Sequence, residues 1–255
     1  MNVSAYLERI NYQGPLVRTA ETLRELQLAH LLTAPFENLS IHAEEPIVLA
    51  DDALFDKIVV RRRGGFCYEL NGLFAALLGA LGFEVTMLSA GVANAEGRFG
   101  PDFDHMALMV GLDQRWLVDV GFGDSFREPL LLDCRDEQVQ GKQVYRIADD
   151  GGDLTLMQRT ELPEPDQWKA QYRFNLQPHQ YSDYAEMCHY HQTSPQSHFT
   201  RGRICSRATP EGRITLSEAN FIASSVSGDR NERELASEAE YALMLSEHFG
   251  IVMAQ

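Results

Sequence analysis

Leu70, Phe74, Leu77, Leu78 and Leu81 fall at the i, i+4, i+7, i+8, i+11 spacing of a helix that buries one side. Directly before them stands Arg63-Gly64-Gly65-Phe66-Cys67-Tyr68-Glu69. A glycine pair ahead of a strongly apolar helix permits a tight bend and delivers Cys67 into the first helical turn. There the unpaired backbone N–H groups and the positive end of the helix dipole favour a thiolate, and Arg61, Arg62 and Arg63 add positive charge. The position predicts a reactive thiol, although an inert cysteine capping a core helix has the same local sequence.

A nucleophilic cysteine needs a base and a group that orients the base, usually from distant parts of the chain. His105 heads His105-Met106-Ala107-Leu108-Met109-Val110, an apolar run of strand length, and Asp119 lies within Trp116-Leu117-Val118-Asp119-Val120-Gly121-Phe122-Gly123. Between them Gly111-Leu112-Asp113-Gln114 reads as a hairpin turn. Two adjacent antiparallel strands bring the start of the first near the end of the second, so His105 and Asp119 become neighbours. A carboxylate between Val118 and Val120 is costly to bury without a partner. Singly, these are a strand-end histidine and a turn-bonding acid. With Cys67 they make a Cys-His-Asp set.

These stretches, Arg63-Gly64-Gly65-Phe66-Cys67, His105 and Val118-Asp119-Val120-Gly121-Phe122-Gly123, resemble the arylamine N-acetyltransferase family. Ala34-Pro35-Phe36-Glu37-Asn38-Leu39 is similar to the family's N-terminal signature, and Tyr190-His191-Gln192-Thr193-Ser194-Pro195 with Ile204-Cys205-Ser206 to its C-terminal third. The resemblance covers most of the chain. It implies transfer of an acetyl group from acetyl-CoA, through acetylated Cys67, to an arylamine, arylhydrazine or N-hydroxyarylamine. His105 is then the general base and acid and Asp119 the orienting carboxylate. The implied fold is α+β in three domains: an N-terminal helical bundle, a central β-barrel and a C-terminal α/β lid around a cysteine-protease-like Cys-His-Asp core.

The resemblance also implies that Phe36 and Phe122 line the acceptor pocket, and Phe66 and Val92 are further candidates for an apolar wall that keeps water from an acyl-enzyme. Glu37 and Arg63 are expected to form a structural ion pair steadying the catalytic loop. The loop Ala95–Asp104 corresponds to one that helps hold the CoA pyrophosphate through backbone N–H groups. Gly97, Arg98 and Gly100, with Gly123 of the second glycine motif, are its candidate cofactor contacts, although the pattern is neither a Walker nor a Rossmann motif.

Patterning divides the chain. Residues 1–83 read as helical, with helices over Ser4–Ile10 and Thr19–Leu32, Thr19 serving as N-cap. Residues 84–180 read as strands: Glu84–Ala93, His105–Leu112, Gln114–Phe122, Lys142–Ile147, Leu154–Arg159 and Trp168–Phe174, with a turn at Asp149-Asp150-Gly151-Gly152. In residues 181–255, Tyr184–His191 reads as a helix and Ile204–Leu216 as a hairpin around Pro210-Glu211-Gly212. Ser237–Phe249 reads as a last helix with Ser237 and Glu240 in capping-box spacing.

A chain of 255 residues with 44 % apolar content can bury a substantial core, and a net charge of −15 without a basic stripe excludes a general nucleic-acid binder. That charge suits a monomer or small homo-oligomer. The N-terminus has no signal-peptide pattern and no run of about 18 apolar residues occurs, so a cytoplasmic protein without membrane insertion is expected. Cys67, Cys134, Cys188 and Cys205 lack CxxC spacing, which fits a reducing compartment without disulfides. Cys188-His189 offers no shared metal, because adjacent helical side chains point apart, and no metal is expected.

The family resemblance leaves alternatives: an amide synthase of the same fold that uses another acyl thioester, or a noncatalytic binding protein that retains it. A papain-like hydrolase uses the same residue types but lacks its signature here. Many bacterial members extend beyond the last helix, whereas this sequence ends at Gln255. That difference bears on CoA access, acceptor choice and competition from water.

Overall fold

The computed structural model describes residues 1–160 and 167–253, so Gln255 lies outside the described residues. The first third is mostly helical: α1 (Val3–Arg9), α2 (Ala20–Thr33), a two-residue strand β1 (Phe36–Glu37), α3 (Leu39–His42), α4 (Asp51–Phe55) and α5 (Cys67–Ala80). Thr19 caps α2 as predicted, its hydroxyl accepting the Thr22 N–H at 3.2 Å. A π-helical turn over Asp56–Val60 continues α4, a feature that sequence spacing does not reveal.

Burial of α5 exceeds the one-sided pattern read from its leucines. Every residue from Cys67 to Ala75 is buried, including Glu69 and Asn71. A helix enclosed all round is a central element, and its buried polar residues need dedicated partners. Leu70, Leu73, Phe74, Leu77 and Leu78 pack with Tyr6 and Ile10 near α1, Leu23 and Leu26 of α2, and with Leu108, Val110 and Val118 of the adjoining sheet.

That sheet comprises β2 (Glu84–Val92), β3 (His105–Gly111), β4 (Arg115–Val118), β5 (Leu130–Leu131), β6 (Gln138–Gln140), β7 (Gln143–Asp149), β8 (Leu154–Thr160) and β9 (Lys169–Phe174). All pairings are antiparallel in the order β5-β4-β3-β2-β9-β8-β7-β6, and the sheet curls into a near-closed barrel. Ala107, Leu117, Tyr145, Ile147, Leu156 and Tyr172 form one cluster, while Leu108, Val110 and Val118 face α5, the period-two alternation of a two-sided sheet.

The barrel's seam lies between β5 and β6. There the Gln138 side chain accepts from the Leu131 N–H at 2.7 Å and donates to the Leu131 carbonyl at 3.0 Å, standing in for a ladder pair. Gln140 does the same with Glu128, at 3.1 and 2.7 Å. Side-chain amides thus cover edges that would otherwise be unpaired.

The sequence predicts one strand over Gln114–Phe122, but β4 ends at Val118. Side chains capture the backbone groups beyond it: the Val120 N–H donates to Asn71 Oδ1 and the Gly121 N–H to Asp119 Oδ1, both at 2.9 Å. Asp119 therefore sits on a turn just past the strand.

The last third contains α6 (Ala185–Thr193), β10 (Ile204–Thr209), β11 (Gly212–Ser217), β12 (Asn220–Ser225), β13 (Arg230–Glu234) and α7 (Glu238–Phe249). The predicted hairpin around Pro210-Glu211-Gly212 is β10–β11. β1 adds to the edge of this sheet, Phe36 opposite Ser206 and Glu37 opposite Cys205, so the chain's first and last thirds share one sheet. Ser237 caps α7 by accepting the Glu240 N–H at 3.2 Å, but the Glu240 carboxylate returns to the Ala236 N–H at 2.7 Å, one residue before a capping box places it.

Candidate active site

Cys67 opens α5, His105 opens β3 and Asp119 follows β4; Cys67 and His105 both line one cavity of about 610 Å³. His105 Nε2 lies 2.7 Å from Asp119 Oδ2, with both side chains buried. The second carboxylate oxygen accepts from Asn71 Nδ2 at 2.8 Å and from the Gly121 N–H. Three donors fix the carboxylate's orientation.

Asn71 connects these parts. From one turn into α5 it also donates to the Met106 carbonyl at 2.6 Å, so one side chain ties the Cys67 helix to the strand of His105 and the turn of Asp119. Gly121 permits the approach: a Cβ there would stand 2.7 Å from Cys67 Cα and 2.8 Å from Asn71 Nδ2. Tyr172, fully buried on β9, places its ring 5.1 Å from both His105 and Phe122. Neither Asn71 nor Tyr172 stands out in the sequence. The signal for Asn71 is a polar residue inside a run that is otherwise apolar.

Burial pushes the Cys67 thiol well up, and the charges of Asp119 and Asp104 push the same way, while a hydrogen bond with the Met106 backbone opposes them. The arginines before it do not supply the expected positive charge. Arg63 is neutralised by Glu37 at 2.8 Å, Arg61 by Glu45 at 2.5 Å and Asp56 at 3.0 Å, and Arg62 is exposed with a left-handed φ of 53°. A thiolate at Cys67 therefore depends on a cationic partner inside the cavity.

Below the bend a four-charge cluster is buried. Glu37 meets Arg63 at 2.8 Å and Lys57 at 4.0 Å, and Lys57 meets Glu69 at 2.7 Å. Glu69 also accepts the Phe66 N–H at 3.1 Å and Glu37 the Leu39 N–H at 2.6 Å. The π-helical turn carries Lys57, buried, into this network. From outside it, buried Arg9 donates to the carbonyls of Ile58, Thr33, Arg62 and Arg63, so the segment leading into Gly64-Gly65 is held by charge-assisted bonds.

Phe36, Val92 and Phe122 line the cavity. Phe66 does not: it is fully buried and packs edge-on against Tyr68 and Phe199, with centroids 5.0 and 5.6 Å apart. In the 95–104 loop the candidate cofactor amides have acceptors within the protein. The Gly97 N–H donates to the Asn94 carbonyl and the Arg98 N–H to Asn94 Oδ1, both at 2.9 Å, and the Gly100 N–H to the Val92 carbonyl at 2.8 Å. These amides are committed to protein acceptors, and neither those residues nor Gly123 line the cavity. Arg98 is largely exposed and its nearest acid is Glu96, at 3.6 Å.

The third part of the chain supplies cavity residues that the sequence does not single out: His198 and Phe199, the segment 201–204, and the β11–β12 turn 217–219. Asn38, within the N-terminal motif, ties them down. It donates to the carbonyls of Phe199 and Gly202 at 2.8 and 2.9 Å and accepts the Ile204 N–H at 2.8 Å. All four cysteines are free. Among the described residues, no group of three or more His, Cys, Asp and Glu side chains is arranged to hold a metal, and no helix is long and apolar enough to cross a membrane.

Comparison with known proteins agrees with this fold. A family model described as N-acetyltransferase matches residues 19–255. The arylamine N-acetyltransferase of Escherichia coli strain K12 is 33 % identical over 249 residues, covering 96 % of this chain and 87 % of that protein. The solved arylamine N-acetyltransferase of Salmonella typhimurium superposes with a TM-score of 0.91 at 32 % identity over 98 % of this chain and 90 % of that one. The Mycobacterium marinum arylamine N-acetyltransferase in complex with CoA superposes with a TM-score of 0.88 at 32 % identity over 98 % and 93 %. With sequence, barrel and helix arrangement in agreement along almost its whole length, this chain is an acyltransferase belonging to the arylamine N-acetyltransferase family.

Proposed function

We propose that this enzyme transfers acetyl from acetyl-CoA to the nitrogen of arylamines or arylhydrazines, and to the oxygen of N-hydroxyarylamines, in two half-reactions through acetyl-Cys67. The observation that carries this reading is that Cys67 and His105 line the same cavity, with His105 bonded to buried Asp119. A CoA complex of the Mycobacterium marinum relative supports the donor.

In the first half-reaction the His105 imidazole takes the Cys67 proton. The sulfur attacks the thioester carbonyl, and collapse of the tetrahedral intermediate breaks the bond to the CoA sulfur, which leaves as the thiol with that proton. One thioester replaces another, so the step is near balance. In the second half-reaction the arylamine nitrogen attacks the acetyl carbonyl and loses a proton to His105; collapse of the tetrahedral intermediate breaks the acetyl C–S bond, releases the amide and leaves the Cys67 sulfur to take that proton back from His105. The Cys67 N–H, at the first position of α5 without an intrahelical acceptor, is a donor for the developing oxyanion. Phe36, Val92, Phe122 and Phe199 keep the acyl group away from bulk water.

Because the Asp119 carboxylate is shared among three donors, its role is to fix the His105 tautomer and stabilise the imidazolium. The same imidazolium offsets the burial that pushes the Cys67 thiol up.

Intact-mass spectrometry with acetyl-CoA alone, then with 4-aminobenzoate added, tests the scheme. One acetyl adduct on Cys67, discharged as acetylated amine, is expected. No adduct on the wild-type protein overturns it.

A further inference from the structure

We infer that Arg201 binds an anionic oxygen group of a bound substrate at the mouth of the cavity, either a carboxylate on the acceptor's ring or a phosphate of the donor. This rests on the acyltransfer reading above and names a specificity-determining residue for it.

The other charged side chains lining the cavity each have a direct partner. Arg203 holds Glu218 at 2.7 Å and Glu238 at 2.5 Å, and Asp104 faces His191 at 3.2 Å. Arg201 is exposed, lines the cavity and has no carboxylate within ion-pair distance among the described residues. Its side chain donates one hydrogen bond, to the Gln196 carbonyl at 3.1 Å. A chain of net charge −15 thus keeps one guanidinium without a direct carboxylate partner, among the described residues, on its candidate active site. A guanidinium with most of its N–H groups free presents the fork that carboxylate and phosphate oxygens fit.

Its seat is fixed, not adventitious. The Arg201 N–H donates to the His198 carbonyl at 3.3 Å, ending a turn whose Phe199 ring also lines the cavity, and Asn38 holds the carbonyls on either side at 199 and 202. Among the described residues no acidic side chain holds it back from the cavity. In the loop over 97–100 the Gly97, Arg98 and Gly100 amides are already used.

Binding of CoA, 4-aminobenzoate and aniline to wild type, Arg201→Ala and Arg201→Lys by titration calorimetry tests this, alongside the acetyl-adduct assay. The expected result is about a fivefold loss of affinity in Arg201→Ala for one anionic ligand, largely restored by Arg201→Lys and reduced by salt, with aniline unaffected. Loss confined to 4-aminobenzoate assigns the acceptor carboxylate; loss confined to CoA assigns a donor phosphate. Less than a twofold change for both anions overturns the inference, even where acetyl-Cys67 forms normally. A protein that forms no adduct but shows the selective loss keeps the anion site and refutes only the acyltransfer reading.

Discussion

His105 engages Asp119 through Nε2, at 2.7 Å from Oδ2, while the other carboxylate oxygen is occupied by Asn71 and the Gly121 N–H. Replacing Asp119 by Asn keeps the shape but removes the charge that holds the imidazole's tautomer. Asp119→Asn is expected to lower kcat by about a thousand- to ten-thousandfold, with a native circular dichroism spectrum. Steady-state kinetics with 4-aminobenzoate checks this; turnover within tenfold of wild type refutes the assignment.

Gly121 lies where the turn after β4 meets the start of α5. An alanine Cβ there would press on Cys67 Cα and Asn71 Nδ2 at less than 3 Å, and neither the backbone atom nor the doubly bonded amide can move cheaply. Gly121→Ala is expected to lose about 1–3 kcal/mol of stability and to slow acetylation of Cys67 more than Gly79→Ala, a position late in α5 whose Cβ meets nothing within 4 Å. Urea unfolding and single-turnover mass spectrometry measure the two effects.

Lys57 is the only cation within 4 Å of Glu69 in the buried cluster, and burial raises the Glu69 carboxyl against the pull of Lys57. Lys57→Met leaves that carboxylate without its cation. A loss of about 3–5 kcal/mol is expected, whereas the double variant Lys57→Met with Glu69→Gln should recover part of it. A single-variant loss below about 1 kcal/mol in urea unfolding refutes the coupling.

The helices α1, α2, α5, α6 and α7, the hairpin turns and the closeness of His105 to Asp119 were legible because each rests on a local pattern: apolar spacing around Leu70–Leu78, Thr19 as a cap, glycines at turns; α3 and α4, four and five residues long, are too short to show a helical period. β12 and β13 were not. Asn220–Ser225 has no fully buried residue and Arg230-Asn231-Glu232-Arg233-Glu234 is entirely exposed, so neither shows the alternation that marks a half-buried strand; neighbouring strands hold them in place. The end of β4 was misread for a different reason: Val118, Asp119 and Val120 alternate like a strand, but Asn71, 48 residues from Asp119, takes the backbone N–H that a ladder would need. The cavity residues at 198–204 likewise owe their place to Asn38, a contact across more than 160 residues.

His30 provides a test that is separate from catalysis. It lies fully buried on α2 between Tyr6 and Phe74, ring centroids 6.0 and 5.3 Å away, and neither ring nitrogen has a hydrogen-bond partner among the described residues. Burial, and secondarily the charge of Arg9, lowers its pKa from 6.5 to about 3. The folded protein therefore holds His30 neutral at pH values where the unfolded chain protonates it. Below pH 6.5 the unfolded state binds the extra proton, and stability falls by about 1.4 kcal/mol per pH unit until the folded pKa is reached. Between pH 6.5 and pH 5 this one residue should remove about 2 kcal/mol. Urea unfolding across that range, compared with His30→Leu, isolates its share: the variant's stability should decline less steeply with acid by about that amount. Equal slopes for the two proteins would mean that His30 is protonated in the folded state and that its seat between Tyr6 and Phe74 tolerates the charge.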